Sequence, residues 1–554
     1  MEQIRVYRAA RVHTMDAGRP LASAVAVADG RIVSVGSMES MQPWLRRYPH
    51  TVDDSFADRV VMPGFVDPHT HLRMSGTYMG LDYVGPIDSA APTGVRAGLP
   101  NRDAVLNQLR ALAAEARPGS DGRPQPVTAW GYDPATQNGH LDRDLLDQVS
   151  DVVPLWVVAY APHIVYANTP MIELTGVDEG TDLHGLGRYA DGRLNGWFVE
   201  TAAVRAAFKP VAAQVYAEGF GREAIDRMGA VARGAGVTTT ADMIWGIESF
   251  DTEWDEHRTA IDEGTFPLRL SMVPFEAALR RTYGTDMLAY LARKRTESDD
   301  RLRTHGIKFV NDGSYPSMTL RLGFPGYLDG EVGLTGEIPW AEVYDRMLPF
   351  WTNGIQIHSH ANGDETVDMT LDVLERLLTS HPRWDHRFVV EHYCLSSPAQ
   401  ARRLAALGGL ASVNAYFVRY RAQMHADAGF GPDRSEATAR LGSLERAGAG
   451  FALHSDFNLV VTPLSPLLVA EIATTRTGAD GTVLAPGERI SVDRALRAIT
   501  VDAAHVLRRD HEIGSIEVGK FADLTVLADD PYEVNPSQIG AIEVIGTVLG
   551  GERT

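Results

Sequence analysis

Short apolar runs alternate with helical patterns through most of the chain. The runs are rich in valine, isoleucine, leucine and aromatic residues, and the stretches between them place apolar residues three or four positions apart. This alternation predicts parallel strands joined by helices, and over several hundred residues it favours a (β/α)₈ TIM barrel, an α/β fold. The candidate strands are Gly64–Val66, Val127–Trp130, Leu155–Ala159, Thr238–Asp242, Leu268–Val273, Ile307–Val310, Gln356–His358, Phe388–Glu391, Ala411–Asn414 and Gly450–Leu453. These runs outnumber the strands of an eight-stranded barrel, so one or two of them belong to insertions.

An open, doubly wound sheet is the alternative arrangement for such a pattern. This alternative is less favoured because no G-x-G-x-x-G motif follows the first strand. Two segments rich in glycine, proline, aspartate and aromatic residues interrupt the alternation, at about residues 73–126 and 160–225. We expect both to be insertions that lie over the mouth of the barrel.

The two ends of the chain share a different pattern, in which short alternating strands are separated by glycine. The segments IRVYRAARVHTM and SAVAVADGRIVSVG stand near the start, and ADLTVL and AIEVIGTVL stand near the end. Each end is too short to bury a sheet face alone. The pattern predicts that residues 1–63 and 511–554 pair into one small β-sandwich domain, and that residues 64–510 form the barrel domain.

Composition narrows the range of partners and compartments. The 554 residues carry a formal net charge of −20, which would repel a phosphate backbone, so we expect no nucleic-acid partner. No apolar run reaches the length of a membrane span, and the start lacks the apolar core of a signal peptide, so we expect no membrane partner. Cys394 is the single cysteine, which excludes an intrachain disulfide. The default expectation is a cytoplasmic protein that acts on a small-molecule substrate.

The segment Val61-Met-Pro-Gly-Phe-Val-Asp-Pro-His-Thr-His carries the strongest chemical signal. Strand side chains repeat with a period of two, so His69 and His71 point to the same side. At the C-terminal end of a barrel strand, both imidazoles could bind one metal ion. The alternative is a polar strand end with two surface histidines. The Pro-Gly entry and the neighbouring Asp67 favour the metal-ligand interpretation.

A lysine inside a later strand is the next unusual feature. Lys308 lies within Ile307-Lys-Phe-Val, and burying an ammonium group is costly unless it is paired or modified. The structural alternative is a buried ion pair with Asp312.

Further ligand types stand at the ends of three more strands. Gln356-Ile-His-Ser-His offers His358 and His360 with a period of two, while His392 and Asp456 each end another apolar run. One such residue alone is more often a satisfied core histidine or a helix-capping aspartate. Their succession after the H-x-H pair indicates a metal site.

Taken together, these motifs resemble the amidohydrolase superfamily, and within it the amidohydrolase family 3 (YtcJ-like) branch, which includes N-substituted formamide deformylases. The resemblance covers nearly the whole chain. It rests on PGFVDPHTH, on the G-x-x-x-G-x-x-x-E segment of residues 191–200, on Gly306-Ile-Lys-Phe-Val-Asn-Asp-Gly-Ser314, on His360-Ala-Asn-Gly-Asp364, on Glu391-His392, on Ser455-Asp456 and on the closing Gly514-Ser-Ile-Glu-Val-Gly-Lys-Phe-Ala-Asp523.

The resemblance implies a binuclear metal centre. One divalent ion would be held by His69, His71 and Asp456 and a second by His360 and His392, with N6-carboxylated Lys308 bridging the two. The H-A-x-G-D motif favours His360 over His358 as the ligand, and His358 would then support it from the same strand face. Zinc suits imidazole and carboxylate ligands, but manganese, cobalt and iron use similar sets, so one or two zinc-like ions are expected.

The resemblance also implies a hydrolytic mechanism. A metal ion lowers the pKa of bound water from 15.7 to about 7, which supplies hydroxide at neutral pH. Asp456 would take the proton from this water and pass it to the leaving nitrogen. His163, in a segment similar to the family's second-strand H…N segment, would contact the substrate and help to stabilise the oxyanion. The alternative for His163 is a surface histidine in a loop.

The reaction class follows from the same resemblance. We expect a metal-activated hydroxide to cleave a carbon–nitrogen bond of a non-peptide amide, such as an N-substituted formamide or an aryl amide. A lactone, ester or carbamate hydrolase, an isomerase or lyase with one metal, and a catalytically inactive metal-binding barrel are the alternatives. Barrels of this kind often form dimers, and by analogy we expect a homodimer.

The substrate pocket departs from the family pattern. His454 stands where the family often has glycine, and Phe457-Asn458 replaces a common Ala-Pro pair. The substrate-binding candidates are His163, Trp130, Tyr315 and Arg321. The aromatic residues could equally be core packing, and a lone arginine more often forms a structural salt bridge.

Overall fold

The computed structural model describes residues 3–92, 94–119, 122–160, 164–219, 221–457 and 463–554. The chain divides into two compact units. The first comprises Met1–Thr70, Ala232–Asp456 and Leu464–Thr554, and the second comprises His71–Val231 and Phe457–Pro463. Across the described ranges, no helix is long and apolar enough to cross a membrane.

Eight parallel strands form the centre of the first unit. They are β1 (Phe65–Thr70), β2 (Val237–Trp245), β3 (Arg269–Pro274), β4 (Gly306–Val310), β5 (Gln356–Ala361), β6 (Val389–His392), β7 (Leu410–Val413) and β8 (Gly450–Leu453). Strands β1 to β3 form one sheet, with the short strand Leu302–Arg303 beside β3, and β4 to β8 form another.

Backbone contacts join the two sheets on both sides. A parallel bridge between Phe275 and Lys308 joins the end of β3 to β4. The amide of Asp456, just after β8, donates to the carbonyl of His69 in β1 at 3.1 Å. The eight strands therefore follow one another in chain order, and the segment after the last one contacts the first.

The strand sequences explain this arrangement. All six residues of β1 and of β3 are buried, as expected for parallel strands covered on both faces. Gly64 precedes β1 because a Cβ atom at this position would lie 2.0 Å from the Thr238 hydroxyl oxygen, so the backbone of β1 can approach β2 only at glycine. Eight of the ten apolar runs named from the sequence lie in these strands.

The two ends of the chain pair in one seven-stranded sheet of the same unit. Strand His50–Pro63 lies parallel to Ile4–His13 and antiparallel to Leu524–Leu527. The strand order is Glu552–Arg553, Val544–Leu549, Leu524–Leu527, His50–Pro63, Ile4–His13, Leu21–Ala28, Arg31–Gly36. The predicted pairing of the ends is therefore observed. The two-layer sandwich and the domain limits at residues 63 and 511 stay predictions.

A buried ion pair connects this sheet to β3. Arg269 donates through Nε and Nη2 to the two carboxylate oxygens of Asp523 at 2.6 and 3.0 Å, and both side chains are buried. The Arg269 guanidinium also lies 3.8 Å from the ring centre of Phe521.

The second unit contains a six-stranded sheet of its own. Its order is Leu186–Arg188, Leu194–Val199, Ile164–Ala167, Leu155–Ala159, Val127–Tyr132, Asp82–Tyr83. The runs Val127–Trp130 and Leu155–Ala159, predicted as candidate barrel strands, therefore belong here, and the two predicted insertions are parts of one unit. An apolar run indicates burial on both faces, but it does not indicate which sheet buries it.

The helices connect these strands. Their bounds are Met38–Leu45, Leu72–Tyr78, Arg102–Ala114, Arg143–Asp147, Thr169–Thr175, Glu200–Phe208, Ala212–Gly219, Arg222–Gly234, Phe250–Asp262, Glu276–Tyr283, Met287–Thr296, Trp340–Thr352, Asp364–Ser380, Pro398–Ala406, Tyr416–Tyr420, Ala422–Met424, Pro432–Ser435, Leu441–Ala447, Pro466–Thr475, Val492–Ala498 and Val501–Val506. Helix Val501–Val506 packs in one hydrophobic cluster with residues of β1, β2, β3, β6, β7 and β8.

Candidate metal centre

Four of the predicted metal ligands meet at the C-terminal ends of the parallel strands. The Nε2 atom of His69 lies 3.4 Å from Nζ of Lys308 and 3.5 Å from Oδ1 of Asp456. The Nδ1 atom of His392 lies 3.7 Å from Oδ2 of Asp456. All four side chains are buried. Residues far apart in sequence thus form one compact polar cluster.

Glu391 orients two of the histidines. One carboxylate oxygen lies 2.6 Å from Nδ1 of His69, and the other lies 2.7 Å from Nδ1 of His358. Burial opposes ionisation of Glu391, but the hydrogen bond from His358 and the Lys308 ammonium outweigh it and lower the Glu391 pKa to about 2.

An ionised Glu391 fixes the tautomer of both rings. Each histidine donates through Nδ1, which leaves Nε2 of His69 as the lone-pair nitrogen beside Lys308 and Asp456. In the sequence Glu391 is recognisable only as part of a family motif, and its role in orienting His69 and His358 was not predicted. The available signal was a carboxylate inside the apolar run Val389-Val-Glu-His, comparable to the lysine in β4.

Lys308 is buried in the interior and lies beside His358 on the neighbouring strand. Burial lowers the pKa of its ammonium, although the carboxylates of Glu391 and Asp456 oppose the shift. The predicted alternative, an ion pair with Asp312, is not formed. Within the described part of the chain Lys308 has no ion pair, and its Nζ contacts Nε2 of His69 at 3.4 Å.

His360 stands beside His392, and their ring centres are 4.5 Å apart. Its Nε2 atom lies 2.8 Å from Nδ2 of Asn362 and 3.1 Å from the Gly313 carbonyl. His358 instead contacts Glu391 from the same strand. His360 thus lies next to another predicted ligand, while His358 contacts the carboxylate that also orients His69; the choice of His360 as the ligand stays a prediction.

Asp312 holds the loop that follows His360. Its carboxylate accepts from the amides of Asn362 at 3.1 Å and of Gly363 at 2.8 Å. A Cβ atom at Gly363 would lie 1.8 Å from the Arg321 carbonyl oxygen, so this motif position requires glycine. The motif aspartate and glycine therefore fix the backbone from which His360 projects.

Two predicted ligands have strained backbones. His392 and Asp456 have φ angles of 72° and 56°, in the left-handed region that residues with a Cβ rarely adopt. Such strain costs of order 1–3 kcal/mol per residue and concentrates at functional sites. Its presence at both positions supports a functional rather than a purely structural cluster.

A second buried carboxylate connects β1 to the segment after β8. Asp67 accepts from the Ser455 hydroxyl at 2.5 Å and from the backbone amides of His69 and Ser455, both at 3.3 Å. Burial raises the Asp67 pKa to about 7, although these hydrogen bonds oppose the shift. Asp67 therefore fixes the backbone on both sides of the His69 and Asp456 pair.

His454 adds a third imidazole to the cluster. Its ring stacks on His69 with centres 4.6 Å apart and an angle of 17°, and it lies 5.2 Å from the His392 ring. One ring nitrogen from each of His69, His392 and His454 lies within 4.8 Å of the other two, and all three residues are buried. In the sequence His454 stands out only as a departure from the family pattern.

The predicted roles of two site residues, His71 and His163, rest on the sequence alone. His71 is the first residue of the second unit, is buried, and precedes helix Leu72–Tyr78. His163 lies outside the described residues. Their roles as metal ligand and substrate contact stay predictions.

The predicted substrate-binding residues occupy packed environments. Trp130 belongs to the hydrophobic core of the second unit, with ring centres 5.7 Å from Tyr78 and 5.0 Å from Tyr83. In the first unit, Arg321 donates to Glu365 at 2.7 Å. These contacts favour the structural alternatives for Trp130 and Arg321.

Tyr315 is completely buried in the first unit. Its hydroxyl lies 2.7 Å from the Thr438 hydroxyl, and its ring centre lies 4.8 Å from that of Phe417. Core packing is thus the favoured alternative here as well, and substrate binding by Tyr315 stays a prediction.

Comparison with known proteins identifies the family. The family model described as the amidohydrolase family matches residues 57–554. The chain therefore belongs to the amidohydrolase family, which confirms the resemblance carried by its motifs.

Individual relatives are distant but cover the whole length. The chain is 26% identical over 553 residues to Protein LONG AFTER FAR-RED 3 of Arabidopsis thaliana, covering 98% of this chain and 90% of that protein. It is 26% identical over 570 residues to the N-substituted formamide deformylase of Arthrobacter pascens, covering 98% and 96%. An uncharacterized metal-dependent hydrolase from Pyrococcus horikoshii OT3 superposes with a TM-score of 0.73 at 19% identity, covering 96% and 99%, and therefore shares the fold.

Proposed function

We propose that this protein is a metal-dependent hydrolase that cleaves a carbon–nitrogen bond of a non-peptide amide. The observation that carries the proposal is the buried cluster in which Glu391 orients His69 toward Lys308 and Asp456. The name of the Arthrobacter relative specifies N-substituted formamides, and this supports formamides and related amides as the substrate class.

We infer that the eight parallel strands close into a (β/α)₈ barrel. Two contacts support closure: the Phe275–Lys308 bridge joins β3 to β4, and the Asp456–His69 hydrogen bond joins the segment after β8 to β1. In such a barrel the C-terminal strand ends carry the catalytic groups, and the cluster lies at these ends.

The chemistry of the donor atoms fits a divalent transition metal. Imidazole nitrogens and carboxylate oxygens are the ligands that zinc prefers, and a histidine ligand commonly donates its other nitrogen to a carboxylate, as His69 does to Glu391. The proposed ligands for one or two ions are His69, His71, Lys308, His360, His392 and Asp456, with Lys308 carboxylated on Nζ.

The ion supplies Lewis acidity toward the substrate carbonyl and makes nearby water more acidic. The protein's own contribution centres on Asp456. Its carboxylate lies among the three predicted ligands His69, His392 and Lys308, where it would accept a proton from the attacking water. The same oxygen would then deliver that proton to the leaving nitrogen, so that acid and base catalysis use one side chain.

The buried histidines have a second role in this proposal. Because Glu391 holds the Nδ1 protons of His69 and His358, the Nε2 lone pair of His69 stays directed at Lys308 and Asp456. With this lone pair engaged by a bound ion, His69 would have no free nitrogen to take the proton from Asp456.

Elemental analysis of purified protein, together with a panel of formamides and aryl amides, tests the proposal. Wild-type protein is expected to contain one or two zinc-like ions and to hydrolyse at least one amide class. Asp456→Asn is expected to lose activity by about 10²–10⁴-fold, the range of general acid–base catalysis. Asp480→Asn, which changes an exposed aspartate, is the matched control. Protein that contains no metal when purified without chelator would contradict the proposal.

A further inference from the structure

We propose that His454 is itself a metal ligand, which joins His69 and His392 to give the site a three-imidazole set. This inference rests on the proposed function, since it concerns the same metal centre. It adds a ligand that the family motifs do not supply.

The distances support a shared ion. One ring nitrogen from each of the three histidines lies within 4.8 Å of the other two. Two nitrogens bound to one tetrahedral zinc ion are about 3.4 Å apart, given a zinc–nitrogen bond of about 2.1 Å. Small rotations of the His392 and His454 side chains would close the difference while Glu391 keeps His69 in place.

The backbone presents His454 to this point. His454 immediately follows β8, and its amide donates to the Val413 carbonyl at 3.1 Å, which fixes its position against β7. His454 and Asp456 are two positions apart, as are His69 and His71. The segment after β8 therefore offers two metal-binding side chains, just as the segment at the end of β1 does.

A purely structural role explains the position less well. His454 packs its ring on His69, and a phenyl ring would fill such a place without burying polar nitrogens. Burying an imidazole is favourable when a ring nitrogen binds a metal or accepts a hydrogen bond. The cluster supplies the first possibility directly, because the ring centres of His69 and His392 lie 4.6 and 5.2 Å from that of His454.

The consequence is a preference among metals. Imidazole is a neutral ligand, so a third one leaves the positive charge of the ion undiminished. Nitrogen ligands favour zinc, cobalt, nickel and copper, whereas carboxylate and water ligands suit manganese and magnesium. His454 therefore selects a nitrogen-preferring metal.

The experiment compares metal binding in wild type and His454 variants. His454→Phe keeps an aromatic ring against His69 and removes both nitrogens, and His454→Gln is a smaller, polar second variant. His386→Phe is the matched control, since His386 is a buried histidine near the other end of β6, packed on Trp351. Affinity for zinc, cobalt and manganese is measured by chelator competition, and the number of bound imidazoles by X-ray absorption of the cobalt form.

The expected result is a zinc and cobalt affinity at least about tenfold lower in both His454 variants, with a smaller change for manganese. The cobalt form should lose one imidazole, and the control should match wild type. Unchanged affinity and imidazole count in a folded His454 variant would overturn the inference and leave the proposed function intact. Absence of metal from wild type would overturn both.

Discussion

His69 and Glu391 form a hydrogen bond of 2.6 Å between β1 and β6, with neither side chain exposed to solvent. The two strands are not neighbours in either sheet, so the bond crosses the interior between them. It ties the first predicted ligand to the strand that carries His392. The position of the metal-binding nitrogen of His69 therefore depends on a residue more than three hundred positions away.

Glu391→Gln is expected to weaken metal binding. The substitution removes the negative charge that holds the Nδ1 protons of His69 and His358, so both rings become free to change tautomer. Loss of such a supporting carboxylate typically lowers metal affinity by about 10–100-fold. Zinc affinity measured by chelator competition checks this.

The control for this prediction is Glu488→Gln. Glu488 is another buried glutamate, and it bonds Ser443. The control should lose stability without losing zinc. Equal zinc affinity in Glu391→Gln and wild type would show that His69 is positioned by other contacts.

Lys308→Ala is expected to reduce the metal content. If carboxylated Lys308 bridges two ions, its removal leaves only terminal ligands for the second ion, and the stoichiometry falls from two to one or fewer. Lys308→Arg keeps a positive charge but cannot be carboxylated in the same way, so it should behave like alanine. Elemental analysis of protein purified with bicarbonate measures the effect.

Lys294→Ala provides the comparison, because Lys294 is also buried but is paired with Glu297 at 2.9 Å. Its metal content should equal that of wild type. A tightly held single ion, present in wild type and unchanged in Lys308→Ala, would argue for a mononuclear site without a bridge.

The sequence predicts the strands well and places the candidate ligands at strand ends, because both follow from local periodicity; metal binding by these residues stays a prediction. A period of two places His69 and His71 on one side of a strand, and a run of apolar residues ending in histidine or aspartate marks a strand end. The family motif favours His360 over His358 as the ligand. In the structure the His360 ring lies beside the His392 ring, and His358 forms a hydrogen bond with Glu391.

Features that depend on three-dimensional pairing could not be predicted. The apolar run at residues 155–159 has the composition of a barrel strand, yet it pairs with Ile164–Ala167 in the second unit. Arg321 could bind a substrate carboxylate or a protein one, and only the fold shows Glu365 beside it. The stacking of His454 on His69 joins positions separated by most of the chain, and no local pattern indicates it.

Breaking the Arg269–Asp523 ion pair is expected to destabilise the first unit. Both side chains are almost fully buried, so Arg269→Met alone leaves an uncompensated carboxylate inside the protein. The cost is about 3–5 kcal/mol in the free energy of unfolding. Urea denaturation followed by circular dichroism measures it.

The double variant Arg269→Met with Asp523→Leu isolates the electrostatic contribution. It removes both charges of the pair, and it should recover most of the lost stability because no unpaired charge remains buried. Asp300, the other carboxylate that Arg269 contacts, is partly exposed to solvent. If the double variant is as unstable as the sum of the two single variants, the loss comes from packing, including the contact of Arg269 with Phe521.

His425 is expected to make the protein sensitive to mild acid. Burial, assisted by the nearby Arg421 charge, lowers the His425 pKa from 6.5 to about 3. The unfolded chain therefore binds a proton at His425 more readily, and folded stability declines as the pH falls below 6.5, by up to about 1.4 kcal/mol per pH unit.

Replacing this side chain should reduce the acid sensitivity. His425→Phe keeps the ring packed on Tyr315, whose ring centre is 4.1 Å away, and removes the titrating nitrogens. The urea midpoint should fall less between pH 7 and pH 5 in this variant than in wild type. His511→Gln, at an exposed position, should show the wild-type dependence, and the same dependence in His425→Phe would refute the assignment.

The pairing of strand His50–Pro63 with strand Leu524–Leu527 sets an order for folding during synthesis. The amide of Phe65 and the hydroxyl of Thr525, which bond at this junction, are 460 positions apart. At about 5–20 residues per second, a ribosome needs about 20–90 seconds to produce the second strand after the first. Throughout that interval strand His50–Pro63 presents an open hydrogen-bonding edge, which makes the nascent chain a natural client for chaperones that shield unpaired strands.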